Sequence, residues 1–458
     1  MRTGELGYWW SSIGGPASPR EPLRASTEAD VAIVGAGYTG LWTAYYLKRA
    51  RPELRIVLLE REVAGYGASG RNGGWVSGFF SGEPGRYARA GSPDAYLQLQ
   101  RHMFAAVDEV GAFLSEHGID ADFVKGGRLS VALGAAQMSR LEQGRSHARE
   151  LGLGEADLRL LGAGELEARV RVAGALGASY SPHAARVHPA ALVRGLAGVV
   201  ESMGVVIHER TPVREVRPGE AVTPAGSVRA RWVVRATEGY TGSLRGCRRR
   251  LVPINSSMVI TQPLGEAAWE QIGWGGCEVM SDLAHVYVYL QRTADGRIAI
   301  GGRGVPYRYG SRTDGAGATA ARTIESLRRK LADMFPAAAG AELTHAWSGV
   351  LGVPRDWCPS VAADAHSGLA RAGGYVGEGV AASNLAARSL RDLLLGEDSE
   401  LARLAWVGTH ARNWEPEPLR WASIGSVYSL YRLADRREAS RGRPSRLGRV
   451  IDAASGRS

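Results

Sequence analysis

Cysteine and long apolar segments are scarce in this chain of 458 residues. The three cysteines, Cys247, Cys277 and Cys358, are odd in number and lack metal-ligand spacing, so we expect neither a disulfide framework nor a metal centre. Such cysteine usage favours a reducing compartment, and we predict a cytoplasmic protein. The longest apolar runs have only the length of a strand, which predicts no transmembrane helix. The N-terminus also lacks the apolar region of a signal peptide.

Lysine is equally scarce, and arginine supplies almost all of the positive charge. The formal net charge is +10, with three lysines against 53 arginines. This imbalance, with abundant alanine and glycine, indicates a coding bias rather than selection for phosphate contacts, and we expect no nucleic-acid partner. Arginine clusters at Arg245–Arg250 and along residues 432–449 are interpreted as solvated surface and a loose C-terminus. An acidic partner or surface is the alternative interpretation.

A nucleotide-binding motif begins at residue 31. Val31–Val34 is a short, β-branched apolar run typical of a buried parallel strand. Gly35, Gly37 and Gly40 follow with the spacing G-x-G-x-x-G, which suits a tight turn, close approach to a pyrophosphate, and packing of a helix on the strand. The helix predicted over Tyr38–Ala50 would offer its N-terminal N–H groups and positive dipole end to phosphates.

An acidic residue closes the next predicted strand, Ile56–Leu59. Glu60 follows Gly40 by 20 residues, where this fold needs a carboxylate to hydrogen-bond a ribose hydroxyl. A chance glycine turn before a helix would not explain the second strand and the acid together. A carboxylate at this point also disfavours a ribose 2′-phosphate, so NADP is not expected. The motif predicts a dinucleotide-binding βαβ unit.

Antiparallel strands are indicated farther along the chain. Residues 284–292 alternate strictly and place His285, Tyr287 and Tyr289 on one face of a predicted strand. An Asp-Gly turn at 295–296 predicts a hairpin whose second strand is 297–302. The aromatic face suits the wall of a substrate cavity, with a solvent-facing or inter-sheet surface as the alternative. Arg303, just past the hairpin, is a candidate for binding a substrate anion or an ordinary surface arginine.

Four glycine-containing segments carry a resemblance to a known family. They are Val34–Gly40, Gly67–Gly74, Ala236–Thr241 and Gly373–Gly379. Over about residues 30–395 the chain resembles the D-amino-acid-oxidase-like FAD-dependent oxidoreductases, and its motifs are most similar to γ-glutamylputrescine oxidoreductase and glycine oxidase-like members. The resemblance implies a mixed α/β (α+β) fold. It would combine a Rossmann-like, glutathione-reductase-type FAD domain with an antiparallel-sheet substrate domain.

Nucleotide-type blocks at three separate places predict a discontinuous domain organisation. Residues 1–28 would be a lead-in, and residues 401–458 an Arg-rich C-terminal extension. The FAD domain would comprise residues 29–90, 180–245 and 345–400, and the substrate domain residues 91–179 and 246–344. Two domains also suit the length of the chain.

The resemblance implies which residues bind FAD. The first glycines and Glu60 would hold its ADP half, the backbone near Val213 would meet the adenine, and the segment from Ala236 would close over the dinucleotide. Residues 377–384 would present N–H groups and a helix N-terminus to the flavin ring, which favours negative charge on the reduced ring. Arg71 and Asn72 would face the flavin or bond the FAD phosphates. The candidate cofactor residues are Gly35, Gly37, Tyr38, Thr39, Gly40, Glu60, Arg61, Ala68, Ser69, Arg71, Asn72, Gly73, Gly74, Val213, Ala236, Thr237, Gly377, Gly379, Val380, Ala381, Ala382 and Ser383.

Two positions depart from the sarcosine oxidase-like members of that family. A cysteine that tethers the flavin in those members matches a position near Leu351 here, so we predict non-covalent FAD. A lysine that binds the substrate carboxylate matches about Ala381. The resemblance therefore does not support a sarcosine-type carboxylate clamp.

The implied activity is FAD-dependent oxidation of a C–N bond in an amine or amino-acid-like substrate. A hydride would pass to flavin N5, the imine would hydrolyse, and O2, giving H2O2, or another electron acceptor would reoxidise the flavin. The candidate catalytic residues are His285, Tyr287, Tyr289 and Arg303. One alternative is an NAD-dependent dehydrogenase, which Glu60 permits and the Gly67–Gly74 and Gly373–Gly379 segments oppose. The other is a basic nucleic-acid-binding or scaffold protein with a vestigial nucleotide fold. The sequence does not indicate an oligomeric state.

Overall fold

The computed structural model describes residues 1–89, 94–313 and 316–455, and the predicted domain boundary at residues 90 and 91 lies outside them. Its strands are, in chain order, β1 (Arg2–Thr3), β2 (Thr27–Val34), β3 (Ile56–Leu59), β4 (Trp75–Ser77), β5 (Arg128–Ala132), β6 (Arg159–Gly162), β7 (Gly177–Ser181), β8 (Ala184–Arg186), β9 (Val206–His208), β10 (Glu215–Arg217), β11 (Glu220–Thr223), β12 (Gly226–Arg235), β13 (Val252–Thr261), β14 (Val279–Asp282), β15 (Val288–Arg292), β16 (Ile298–Gly302), β17 (Leu343–Val353), β18 (Ser360–Asp364) and β19 (Leu369–Gly373).

The helices connect and cover these strands. They are α1 (Tyr8–Ser12), α2 (Tyr38–Ala50), α3 (Pro84–Arg89), α4 (Ala95–Glu116), α5 (Ala135–Glu150), α6 (Ala163–Glu167), α7 (Pro189–Ser202), α8 (Glu266–Ile272), α9 (Ala321–Met334), α10 (Gly379–Leu395), α11 (Leu419–Arg441) and α12 (Arg446–Ser455). The predicted bounds of α2 and β3 are confirmed. Among the described residues, none of the helices is long and apolar enough to cross a membrane.

A first sheet has a parallel centre with the strand order β9-β3-β2-β12-β19. Strands β10, β11 and β18 extend it in antiparallel fashion. Successive residues of β2 point to opposite faces: Val31 and Ile33 join the core formed with α2, α4, α7 and α10, whereas Ala32 and Val34 join a second core. Because both faces are covered, the strand reads as a continuous apolar run in the sequence.

The second sheet is largely antiparallel. Within the described residues its strand order is β1-β17-β13-β16-β15-β14-β5-β7-β6. Helix α9 covers one face, where Leu327, Leu331 and Met334 pack with strand residues that include Val259 and Ile300. The predicted mixed α/β fold with two kinds of sheet is therefore confirmed.

The aromatic strand is shorter than its alternation predicts. Strand β15 begins at Val288 rather than at residue 284. The N–H groups of His285 and Val286 donate to the carboxylate of Asp435 at 2.8 and 3.1 Å, so they are not available to a neighbouring strand. The predicted hairpin is present, since Thr293 N–H donates to the Arg297 carbonyl and Gly296 takes a positive φ of 75°.

The C-terminal extension packs on the fold instead of being loose along its length. Trp414, Ile424 and Tyr428 are buried in a small core with residues of β13 and β17. The Trp414 indole also donates to the Val353 carbonyl at 2.8 Å. Within residues 432–449, Ala434 and Glu438 of α11 are also buried. The interpretation as a loose C-terminus is thus wrong for this part of α11, because the arginines around these two residues obscure its buried face.

Two strands of the antiparallel sheet, β7 and β17, cross the predicted boundaries at 179/180 and 344/345. Strand β1 of the same sheet lies within the predicted lead-in, residues 1–28. The domain division itself stays a prediction.

Candidate functional site

An elongated cavity of about 1140 Å³ lies where β2 and β3 end and α2 and α10 begin. Most of the candidate cofactor residues line it: Gly35, Gly37, Tyr38, Thr39, Glu60, Arg61, Ala68, Ser69, Asn72, Val213, Ala236, Thr237, Gly377, Gly379, Val380 and Ser383. Segments from three distant parts of the chain therefore meet around one cavity, as the discontinuous arrangement requires.

The glycine triplet has the geometry that its spacing implies. Gly35 has a φ of 104°, and a Cβ there would lie 2.7 Å from the Ala236 carbonyl oxygen. A Cβ on Gly40 would overlap the Gly35 carbonyl oxygen, so only glycine lets α2 pack on β2. Gly37 lines the cavity at the start of α2, where the Tyr38 N–H donates to Ser69 Oγ at 2.9 Å. Gly40 thus has a packing role and does not line the cavity.

Glu60 is fixed at the cavity wall by backbone donors. One carboxylate oxygen accepts the Ala36 N–H at 2.9 Å, and the other accepts the Glu62 N–H at 3.0 Å. Burial raises the pKa of Glu60, and these two hydrogen bonds oppose the rise. Next to it, the Arg61 guanidinium lies 4.9 Å from the centre of the Tyr240 ring.

The segment Gly67–Gly74 is held by its own side chains and by β15. Asn72 donates to the Ser69 carbonyl at 2.8 Å and accepts the Gly74 N–H at 2.7 Å. Gln291 donates to the Gly73 carbonyl at 2.8 Å, and it leaves no room for a side chain on Gly74. Gly74 is consequently not among the described residues that line the elongated cavity. The Arg71 guanidinium stacks 4.2 Å from the Tyr66 ring centre, with Nε and Nη2 buried and without hydrogen-bond partners.

The far end of the cavity meets the N-terminus of α10. Gly377, Gly379 and Val380 line it, and the N-cap residue Glu378 makes no capping hydrogen bond with its side chain. The first-turn N–H groups of α10 are thus not consumed by a side-chain cap. Ala381 and Ala382 are fully buried within the helix packing and do not reach the cavity wall.

Two further cavities continue from this end. The first, of about 700 Å³, shares Ala68, Asn72, Leu351, Gly377 and Val380 with the elongated cavity. Arg71 and Gly73 line it, and so do Tyr287, Tyr289 and Arg303. The second, of about 1510 Å³, shares Arg128, Tyr287, Arg303 and Glu378 with the first and also contacts His285. The three cavities thus adjoin one another along these shared walls.

The candidate catalytic residues occupy different positions in this system. Tyr289 hydrogen-bonds Ser256 Oγ at 2.8 Å, and its ring packs behind Gly73. Burial raises the pKa of the Tyr289 hydroxyl. Burial alone would lower the pKa of Arg303, but the tyrosines around it, Tyr428 foremost, outweigh this effect and raise the pKa, so the guanidinium stays charged. The Arg303 Nη1 atom is buried and has no hydrogen-bond partner.

His285 is turned towards the C-terminal extension. Its Nε2 lies 3.2 Å from a Glu438 carboxylate oxygen, and its ring stacks on Tyr431 with centres 5.4 Å apart. His285 lines the cavity of about 1510 Å³, and none of residues 67–74 lines that cavity. It is therefore not placed beside Tyr289 as the strand alternation predicts.

Several residues of the site were missed by the sequence reasoning. Glu238 lines the elongated cavity, and its carboxylate accepts the N–H groups of Gly352, Gly374 and Tyr375 at 2.6, 2.7 and 3.0 Å. Burial raises the pKa of Glu238 to about 7 against these three donors. The available signal was an acid inside the glycine-containing turn after β12.

Arg128 and the N-terminal tryptophan were also missed. Arg128 lies 3.5 Å from Glu378 in the cavity wall. Trp9 donates to the Asn72 carbonyl and Trp347 to the Arg71 carbonyl, each at 2.9 Å. No local pattern marks these tryptophans as supports of the glycine-rich segment.

The residues present fit a flavin dinucleotide. The elongated cavity has an acid at one end and the N-termini of two helices along its length, which suits two riboses and a pyrophosphate. Its other end opens into a chamber with aromatic walls. This arrangement defines a dinucleotide-binding oxidoreductase. Residues 30–393 match the sequence profile of the FAD dependent oxidoreductase (DAO) family, and the chain belongs to that family.

Individual relatives agree with this assignment. The chain is 30% identical to "Probable oxidoreductase OrdL" of Rhizobium meliloti (strain 1021), over 86% of this chain and 90% of that protein. It is 28% identical to gamma-glutamylputrescine oxidoreductase of Escherichia coli (strain K12), over 85% and 89%. Among solved structures, glycine oxidase from Geobacillus kaustophilus superposes with a TM-score of 0.69 at 22% identity, covering 83% of this chain and 99% of its own. The comparisons do not favour an NAD-dependent dehydrogenase or a nucleic-acid-binding scaffold.

Proposed function

We propose that this protein oxidises a C–N bond of an amine or amino-acid-like substrate with non-covalently bound FAD. The observation that carries the proposal is that the cavities adjoin along shared walls. The elongated cavity beside Glu60 adjoins, at Gly377, the chamber that contains Tyr289 and Arg303. A dinucleotide laid along the first cavity would bring its ring to the chamber where a substrate can enter.

Different residues of the chain would bind different parts of FAD. Glu60 would accept a hydrogen bond from a ribose hydroxyl, and the N-terminus of α2 would face the pyrophosphate. The N-terminus of α10 would lie against the ring and favour its negative charge after reduction. When bound, FAD supplies the acceptor for the hydride that leaves the substrate. The protein then needs to orient the substrate and exclude water, and no side-chain nucleophile is required.

Arg303, Tyr287 and Tyr289 are proposed to orient the substrate. A charged guanidinium with a free, buried N–H at Nη1 suits a substrate carboxylate. The tyrosine rings provide an apolar wall for the carbon chain and a favourable face for an amine. The names of two relatives, gamma-glutamylputrescine oxidoreductase and glycine oxidase, support a substrate that carries both groups. His285 remains a candidate substrate-contacting residue only in the outer cavity of about 1510 Å³.

Non-covalent attachment is supported by the composition of the cavity walls. Neither cysteine nor histidine is among the described residues that line the elongated cavity or the adjoining chamber. Leu351, near which the resemblance places the tethering cysteine of sarcosine oxidase-like members, lies in the wall. The division into FAD and substrate domains and a cytoplasmic location are likewise part of this proposal.

The test begins with the purified protein. We expect a flavin absorbance spectrum, and we expect FAD to appear in the supernatant after acid precipitation. Under anaerobic conditions a panel of polyamines, amino acids, N-methyl amines and aminophosphonates should include a compound that bleaches the flavin, and air should then restore the colour with formation of peroxide. A protein without flavin that also fails to take up FAD would refute the proposal. Flavin in the precipitate would refute non-covalent binding, and bleaching without peroxide would indicate another acceptor.

A further inference from the structure

Helix α11 lies beyond the part of the chain that matches the family profile. The profile ends at residue 393, whereas α11 spans Leu419–Arg441. The glycine oxidase structure is covered over 99% of its length but accounts for only 83% of this chain. The chain therefore carries segments that the glycine oxidase lacks. Beyond the profile, α11 lies against the cavity of about 1510 Å³.

The C-terminal half of α11 is fastened to the substrate side of the molecule. Asp435 accepts two backbone N–H groups from residues 285 and 286. Glu438 pairs with Arg140 at 2.7 Å and with His285 at 3.2 Å. Three ligand atoms of His285, Asp435 and Glu438 lie within 4.8 Å of one another. The Arg140 guanidinium supplies the positive charge in this cluster, and the cluster anchors α11 to the antiparallel sheet.

The N-terminal end of α11 is fastened separately. Arg420 is 1% exposed and pairs with Glu417 at 3.1 Å. Glu417 also accepts the Tyr307 hydroxyl at 2.5 Å and the Gly310 N–H at 3.0 Å. Farther along the helix, Arg432 donates to the Gly304 carbonyl at 2.7 Å. The helix is thus held at both ends across the loop that follows Arg303.

Tyr428 projects from the middle of this helix into the cavity system. It is 4% exposed and lines the cavity of about 1510 Å³ together with Tyr287, Arg303 and Trp357. Its hydroxyl group lies in the same cavity wall as the Arg303 guanidinium and helps to raise the pKa of Arg303. Arg303 in turn places Nη2 3.9 Å from the site of a Cβ on Gly377, at the N-terminal end of α10. Tyr428 therefore shares a cavity wall with the arginine that reaches the N-terminal end of α10.

We propose that α11 forms the outer wall of the substrate chamber and that Tyr428 is a specificity-determining residue. Its ring sets the length of substrate that fits between Arg303 and the wall, and its hydroxyl holds Arg303 in the orientation that receives a carboxylate. This inference rests on the proposed function, because it assigns the limits of the same substrate site. The fastening residues of α11 position Tyr428 and take no part in the chemistry.

The experiment compares Tyr428→Ala, Tyr428→Phe and a control in the flavin-loaded, full-length protein. Leu430→Ala is the control, because Leu430 lies on the same helix and is 39% exposed. The substrates are glycine, β-alanine, 4-aminobutyrate and 6-aminohexanoate, which differ in the number of methylenes. Binding of acetate, butyrate and hexanoate is measured in parallel from the flavin absorbance, since it requires no oxidation. Bound FAD and circular dichroism establish that each variant is folded.

In Tyr428→Ala we expect kcat/KM and binding to shift towards the longest chain by about tenfold relative to the shortest, because a methylene that fits a pocket changes selectivity by that order. In Tyr428→Phe the length preference should persist, while KM for the carboxylates rises about tenfold and kcat changes little, as for a lost hydrogen bond to a charged group. Leu430→Ala should match the wild type.

The outcomes separate the two proposals. If the wild type oxidises none of the amines, the proposed function fails on these substrates, and the alkanoate binding alone decides the role of Tyr428. If both Tyr428 variants bind and turn over every chain length as the wild type does, the wall is refuted even when amine oxidation is shown. If Tyr428→Ala does not fold, an unchanged KM in Tyr428→Phe refutes the proposed hold on Arg303.

Discussion

Two carboxylates at the cofactor cavity, those of Glu60 and Glu238, accept backbone N–H groups at individual oxygen atoms. Glu60 combines two backbone N–H groups with a position on the cavity wall, and Glu238 joins three segments of the chain through three N–H groups. Each acid holds backbone that would otherwise have unsatisfied donors in the interior. Each therefore supports a prediction that can be tested with one substitution.

Glu60→Gln should weaken FAD binding about tenfold or more, because a hydrogen bond to a charged group contributes roughly 1.5–3 kcal/mol. The dissociation constant is measured from the rise in flavin fluorescence when the holoprotein is diluted. Glu62→Gln is the matched control, since the Glu62 side chain is 44% exposed and does not line the cavity. Equal dissociation constants for wild type and Glu60→Gln would contradict the assigned role.

Glu238 should make stability depend on pH. Burial raises its pKa from 4.5 to about 7, so the folded protein binds this proton more tightly than the unfolded chain. The stability it contributes is fully present below pH 4.5 and is lost as the pH rises through 7. Relative to Glu238→Gln, the thermal midpoint of the wild type should fall between pH 5 and pH 8. Parallel curves for the two proteins would show that Glu238 does not titrate in this range.

At the scale of elements, the contact between β2 and α2 decides whether the cofactor cavity can form. In Gly40→Ala the new methyl group would meet the Gly35 carbonyl oxygen, and neither backbone segment can move freely. Overpacking of this kind costs about 1–3 kcal/mol, so we expect a lower thermal midpoint and a lower FAD content. Gly198→Ala on α7 is the control. A Cβ there meets nothing within 4 Å, and we expect an unchanged or slightly raised midpoint.

The elements of the nucleotide unit were the most predictable part of the fold. Apolar runs, helical spacing and the glycine triplet depend on local geometry, and α2 and β3 have the predicted bounds. The strand predicted from residue 284 failed at its start because Asp435, 150 positions away along the chain, takes the N–H of His285. The alternation of residue types shows which side chains share a face of a strand. It does not reveal that a distant carboxylate accepts the backbone N–H groups that a neighbouring strand would need.

At the scale of the whole molecule, the N-terminal lead-in couples the two sheets to the cofactor segment. Trp9 is 2% exposed, packs edge-on against Trp347 with ring centres 6.1 Å apart, and donates to the Asn72 carbonyl. Its neighbour Tyr8 donates to Asp295 at the hairpin turn at 2.8 Å. A segment that the sequence marks only as a lead-in therefore belongs to the support of the site.

Trp9→Ala should lower the free energy of unfolding by about 3–5 kcal/mol through the cavity it leaves. Trp9→Phe should lower it less and should still weaken FAD binding, because the Asn72 carbonyl loses its donor. Thermal unfolding of the holoprotein and flavin fluorescence on dilution measure the two effects. The exposed Trp421, changed to Phe, serves as the control. FAD binding that stays at the wild-type level in both Trp9 variants would refute the coupling.

The sequence by itself determined the nucleotide-binding unit, the two kinds of sheet and the family. These depend on short-range periodicity, on glycines at close approaches, and on an acid at the end of a strand. Only the tertiary structure decided that Glu238 joins three segments and that Trp9 holds the glycine-rich loop. It also decided that His285 turns to Glu438, while Tyr428 lines the same cavity as Arg303. The physical reason is that these contacts join residues more than 60 positions apart, whose pairing depends on how the packed sheets and α11 come together rather than on any spacing along the chain.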